Sequence, residues 1–96
     1  MQEPKITALN FKKLTGKQRE VYENVQDIIK EYFEDPKIKF SPKTSFKDDI
    51  GADSLEQIEL MMVIEKRYEI VIEDELAEKI ETVHDCVAVV VQKLNL

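Results

Sequence analysis

The sequence predicts an all-α fold: a small four-helix bundle with three long helices, one short third helix and a long loop between helices 1 and 2. Three observations predict it. Val83, Cys86, Val87, Val90, Val91 and Leu94 recur at i, i+3, i+4, i+7, i+8 and i+11, the spacing of one helical face. A second such stripe runs through Val21, Val25, Ile28, Ile29, Tyr32 and Phe33. Two glycines and three prolines among 96 residues, with 43% hydrophobic and 35% charged side chains, suit a compact helical protein.

Each element follows in order. Residues 1–15 lack a strong pattern and read as a mobile N-terminal tail, leaving 16–96 as the domain. Helix 1 runs from Gly16 to about Glu34 and ends at Asp35-Pro36, because the residue before proline avoids helical angles. Lys37 to Asp53 form a connection in which Ser41-Pro42 and the lack of periodicity argue against another helix. Connections longer than about 12 residues are uncommon and often functional. Ile38, Phe40, Phe46 and Ile50 are its expected anchors. Helix 2 spans Ser54 to about Tyr68, with Leu55, Ile58, Met61, Met62 and Tyr68 as its stripe and Leu60, Val63 and Ile64 widening it. Ile70-Val71-Ile72 reads as an extended connector burying Ile70 and Ile72. A short helix 3 covers Asp74 to Ile80, and Thr82 caps helix 4.

Charge and cysteine content remove several function classes. The net charge is −6, and it is uneven. Lys5, Lys12, Lys13, Lys17 and Arg19 outnumber Glu3 and Glu20 at the start, whereas twelve acids face four bases between Phe46 and Thr82. Such a surface repels nucleic acid and anionic lipid and attracts basic protein patches. The longest apolar run, Cys86 to Val91, is far below the ~18 residues of a membrane span. The single cysteine excludes an internal disulfide and a cysteine-built zinc site, which fits the cytoplasm, with an organelle matrix as alternative. Glu3 and the scarcity of arginine speak against a targeting remnant.

The chemistry concentrates where the long loop meets helix 2. Gly51 permits a sharp turn, and Asp53 and Ser54 are both residues that cap helices. A helix N-terminus carries unpaired donors and a partial positive charge, which suits a phosphate on the Ser54 hydroxyl. By itself an Asp-Ser-Leu tripeptide is usually only a cap. A hydrolase would need Ser54 with His84 and Asp85, but nothing in the sequence brings them together and the Gly-x-Ser-x-Gly elbow is absent. His84 reads as a surface residue, and Cys86 as packed on the apolar stripe. Asp48, Asp49 and Asp53 do not match a calcium loop, so no metal site is expected.

The run Asp49-Ile50-Gly51-Ala52-Asp53-Ser54-Leu55-Glu56 resembles the prosthetic-group attachment site of the acyl carrier proteins. Thr44-Ser45-Phe46, Glu59-Leu60, Glu65 and the run from Glu73 to Val83 extend the resemblance over about Val21 to Leu94. It implies a monomeric carrier of the type II fatty-acid synthesis kind rather than an enzyme, with Ser54 holding 4′-phosphopantetheine. It implies that Asp53 serves transferase recognition and that Leu55, Glu56, Ile58, Glu59, Met62 and Glu65 meet basic docking patches. The partners would be phosphopantetheinyl transferase, fatty-acid synthesis enzymes and acyltransferases. A chain folded back between the helices would have Phe46, Leu60, Met62, Val63, Ile72 and Ile80 as candidate lining. Lys66-Arg67 and Glu73 depart from the family, which commonly has acids and a proline there, and bear on partner choice. Polyketide, peptide or alanyl carriers share the attachment logic. A carrier fold serving as a structural subunit is the remaining alternative.

Overall fold

The computed structural model describes residues 4–96. Helix α1 spans Gly16–Phe33. Its start is set by a reciprocal cap: the Gln18 amide donates to the Thr15 hydroxyl, and the Thr15 amide donates to the Gln18 side chain. It ends at Glu34, whose left-handed backbone (φ 52) turns the chain into Asp35-Pro36. Val21, Val25, Ile28 and Ile29 form its buried face.

The long loop contains helical structure where none was expected. Phe46–Ile50 form a single π-helical turn, in which the Ile50 amide reaches the Ser45 carbonyl at 3.1 Å. Five residues are too few to show periodicity. Local side chains make the turn: Ser45 Oγ accepts from the Asp48 amide, and Asp49 Oδ2 accepts from the Ser45 amide. Phe46 is fully buried and anchors it. Gly51, at φ 79, closes it in a conformation that side chains resist. Backbone bonds from Phe46 to Glu81 and from Val83 to Thr44 tie the loop to the start of the last helix.

Helix α2 spans Ser54–Tyr68, as the sequence predicts. Helix α3 is shorter than expected, Asp74–Ala77 rather than ending at Ile80. The chain tightens after Ala77, where Lys79 and Ile80 donate to Leu76 and Ala77 three residues back, and this turn drives Ile80 into the core. Helix α4, Val83–Leu94, begins with a Thr82–Asp85 capping box.

α4 is buried almost all round, from Cys86 to Val91. A helix apolar on every side needs cover on every side, and its valines, poor helix formers alone, are held by that packing. One cover is residues 4–15, which bond and pack along α4. Gln92 bonds with Thr7 and Lys5, His84 Nε2 accepts from the Leu9 amide, and Phe11 packs edge-on against Tyr22 with centroids 5.0 Å apart. Ile6, Leu9 and Phe11 thus join the core that continues beneath them. His84, expected at the surface, is half-buried under this segment. Among the described residues no helix is long and apolar enough to cross a membrane.

Candidate functional site

The loop, the π-turn and α2 converge on Ser54. Asp53 takes the cap position: its Oδ1 accepts from the Glu56 amide at 2.8 Å, while Glu56 Oε1 accepts from the Asp53 amide at 3.1 Å. The cap being filled, Ser54 becomes the first helical residue and stands exposed. Its hydroxyl makes no hydrogen bond among the described residues. It sits at the positive end of a 15-residue helix, where amide groups of the first turn face an incoming anion.

Beside Ser54 a groove of about 850 Å³ opens between α2 and the segment 72–81. Ser54, Gln57, Ile58, Met61, Met62 and Glu65 supply the α2 side, and Ile72, Ala77 and Ile80 line the other. Of the six expected lining residues, Met62, Ile72 and Ile80 are present. Phe46 and Leu60 are instead fully buried in the core, and Val63 lies outside the groove. Gln57, which the sequence reading passed over, reaches across: its Nε2 donates to the Ile80 carbonyl at 2.5 Å. A polar residue on the helix side shared with Leu60, Met61 and Ile64 was the available signal.

α2 is apolar on two opposite faces. Leu60, Met61 and Ile64 are buried. Leu55, Ile58 and Met62, expected in the same stripe, are 65%, 58% and 61% exposed. At 100° per residue these three cluster about half a turn from the buried set. They form a free apolar strip leading away from Ser54. Lys66 and Arg67 continue α2 beyond it, and Arg67 lies 3.7 Å from Glu31.

The acids beside this strip differ in what they do. Glu56 is engaged in the cap, and Glu65 Oε2 accepts from the Ile72 amide at 2.9 Å, so both act within the fold. Glu59 accepts from the Tyr32 hydroxyl at 2.5 Å. That bond, with burial and the charges of Glu59, Glu56 and Asp53, pushes the Tyr32 phenol up to about 12.

The groups of a hydrolase point elsewhere. Asp85 Oδ2 accepts from the Glu81 and Thr82 amides, and the His84 ring is held between Leu9 and Phe11. Burial pushes the Cys86 thiol up to about 12, so it is protonated and unreactive near neutral pH. No three acids, histidines or cysteines among the described residues are placed to hold a metal ion.

Sequence and structure comparisons agree with this geometry. The family described as a phosphopantetheine attachment site matches residues 23–90. The acyl carrier protein of Phenylobacterium zucineum is 41% identical over 76 residues, which is 79% of this chain and 96% of that protein. That of an Exiguobacterium species is 45% identical over 71 residues, 74% of this chain and 90% of the relative. The crystal structure of an acyl carrier protein from Thermotoga maritima superimposes with a TM-score of 0.73 at 27% identity, covering 86% of this chain and 96% of the other.

Proposed function

This chain belongs to the acyl carrier proteins, the family with a phosphopantetheine attachment site, and we propose that it carries that group on Ser54 and delivers acyl chains to the enzymes of fatty-acid synthesis. The family consists of carriers rather than enzymes, and its prosthetic group is 4′-phosphopantetheine. One observation carries the assignment to Ser54. Asp53 fills the cap and leaves the Ser54 hydroxyl exposed at the helix N-terminus, on the edge of the groove between α2 and the segment 72–81.

The residues fit the group. A phosphodiester on Ser54 would meet the unpaired amides and positive end of α2. The surrounding acids, Asp48 and Asp53 among them, keep the site open to a transferase bringing basic side chains or a divalent cation. When bound, the group supplies a thiol on a flexible arm, which holds acyl groups as thioesters.

The strip of Leu55, Ile58 and Met62 is the docking surface in this reading. Each side chain is more than half exposed, and covering one contributes roughly 1–2 kcal/mol. Met62 adds a soft side chain that adapts to different partners. Glu59 lies on the same side and steers basic patches. Glu56 and Glu65, already bonded within the fold, contribute charge more than direct contact. Lys66 and Arg67 interrupt the acidic surface and select partners that carry an acid opposite them. The matched relatives are bacterial, which favours the cytoplasm over an organelle matrix.

The test is an intact-mass measurement with coenzyme A and a broad phosphopantetheinyl transferase. The expected result is one phosphopantetheine added to the wild type and none to Ser54→Ala. A folded, apo wild type that gains nothing would favour a structural-subunit role instead.

A further inference from the structure

Residues 4–22 precede the family match, which begins at residue 23. In a chain of net charge −6 they hold five bases, Lys5, Lys12, Lys13, Lys17 and Arg19, against one acid, Glu20. The fold sorts their side chains. Ile6, Leu9 and Phe11 turn to the core, and the Thr7 amide donates to the Gln92 side chain at 2.8 Å while Gln92 donates to the Lys5 carbonyl at 3.0 Å. Asn10 then makes a turn: its Oδ1 accepts from the Lys12 amide and its carbonyl from the Lys13 amide, both at 3.0 Å. With Phe11 seated against Tyr22 and His84, Lys12 and Lys13 stand outward on a fixed support. All five bases are exposed, and none forms an ion pair among the described residues.

Like charges gathered this way repel one another, and an anionic surface relieves the repulsion. What the face lacks points to the kind of surface. The large exposed hydrophobic residues are Leu55, Ile58, Met62, Val63, Val71 and Leu96, none of them in this stretch. Protein interfaces are built around apolar and aromatic anchors and are depleted in lysine, yet four of these five bases are lysines. Single-stranded nucleic acid is gripped by rings that stack on its bases. The rings here, Phe11 and Tyr22, pack edge-on against each other with centroids 5.0 Å apart. An anionic membrane needs no such anchor, because polybasic segments dock on its headgroups by charge alone.

We propose that this basic face docks the protein reversibly on membranes that carry anionic lipid. The same lipids repel the acids between Phe46 and Thr82, those flanking Ser54 included, and turn that side of the molecule toward water. The attraction acts within about 8 Å at physiological salt, so the contact is weak and salt-sensitive. On the reading of Ser54 as the attachment site, acyl chains are thereby delivered beside enzymes that transfer them to membrane lipids. The contact itself does not depend on that reading.

The experiment floats the full chain with vesicles of phosphatidylcholine alone, or of phosphatidylcholine and phosphatidylglycerol in equal parts, at low and at physiological salt. Lys12→Glu/Lys13→Glu is compared with Lys37→Glu/Lys39→Glu, a pair that is also exposed but lies in the long loop. Both variants change the net charge equally, and circular dichroism and melting temperature verify that each is folded. The wild type should float with the anionic vesicles, not with the neutral ones, and more weakly as salt rises. Affinity should fall at least about tenfold in Lys12→Glu/Lys13→Glu and much less in the loop variant. No binding of the wild type to anionic vesicles at low salt would overturn the proposal, as would equal losses in the two variants. Binding to a DNA duplex without binding to vesicles would overturn it in favour of nucleic acid, and salt-sensitive self-association without vesicle binding in favour of a second copy. The measurement needs no prosthetic group, so its failure leaves attachment at Ser54 intact.

Discussion

Asp53 and Glu56 hold each other across the first turn of α2, each side chain bonded to the other's backbone amide at 2.8 and 3.1 Å. Ser54, the residue between a loop with a left-handed glycine and this locked turn, is thereby fixed in place with its hydroxyl outward. The same pair that begins the helix thus presents the nucleophile for modification. Stability and modification should separate when the pair is altered selectively.

Asp53→Ala removes the cap and should destabilise the protein by about 1 kcal/mol, while Asp53→Asn, also a good cap, should cost much less. Urea unfolding measures both. If modification requires the carboxylate itself, Asp53→Asn will be stable yet slowly modified. Equal stability of all three proteins would mean that the cap does not secure α2.

The two apolar faces of α2 should respond differently to truncation. Leu55→Ala, Ile58→Ala and Met62→Ala should each change stability by no more than about 0.5 kcal/mol. Leu60→Ala or Ile64→Ala should cost about 2–5 kcal/mol, because those side chains are fully buried. Binding to a partner enzyme should show the reverse ranking among variants that remain folded. A large stability loss on trimming Ile58 or Met62 would place them in the core instead.

The N-terminal segment should behave as part of the domain. Phe11→Ala removes the edge-on contact with Tyr22 and the cover over His84, and should cost about 1–3 kcal/mol. For a domain of this size the melting temperature would fall by at least several degrees. Hydrogen exchange at the Leu9 amide, bonded to His84, should accelerate in the variant. An unchanged melting temperature would make the segment a tail.

Alkaline titration isolates the link between α1 and α2. The raised Tyr32 phenol keeps its proton longer in the folded chain than in the unfolded one. Its contribution is therefore fully present below pH 10, the ordinary value, and is lost as pH rises through about 12. Burial raises Tyr22 and Tyr68 as well, so the informative readout is the difference: Glu59→Gln should bring one tyrosine back toward 10.0 in the ultraviolet titration and leave the other two unchanged. Superimposable titrations of wild type and Glu59→Gln would deny the bond.

The sequence was most informative where local chemistry decides the outcome. Thr15, Asp53 and Thr82 each make a capping box with the residue three positions on, so helix starts were legible. The serine junction was legible for the same reason. Periodicity failed on α2 because apolar residues occupy both faces, and nothing local distinguishes those facing the core from those facing solvent. Leu55, Ile58 and Met62 stand exposed, and in the proposed reading docking covers them. The π-turn was too short to leave a pattern. The N-terminal segment lacks a pattern too, but α4 held a clue: Ala88 and Val89 lie off its main stripe and still had to be covered.

The most direct test of the central claim is peptide mapping of the transferase-treated protein. Trypsin cuts after Lys47 and Lys66, releasing residues 48–66, in which Ser54 is the only hydroxyl-bearing side chain. Tandem mass spectrometry should find phosphopantetheine on that peptide, localised to Ser54. Modification of a different peptide, or none on a folded apo protein, would contradict the account.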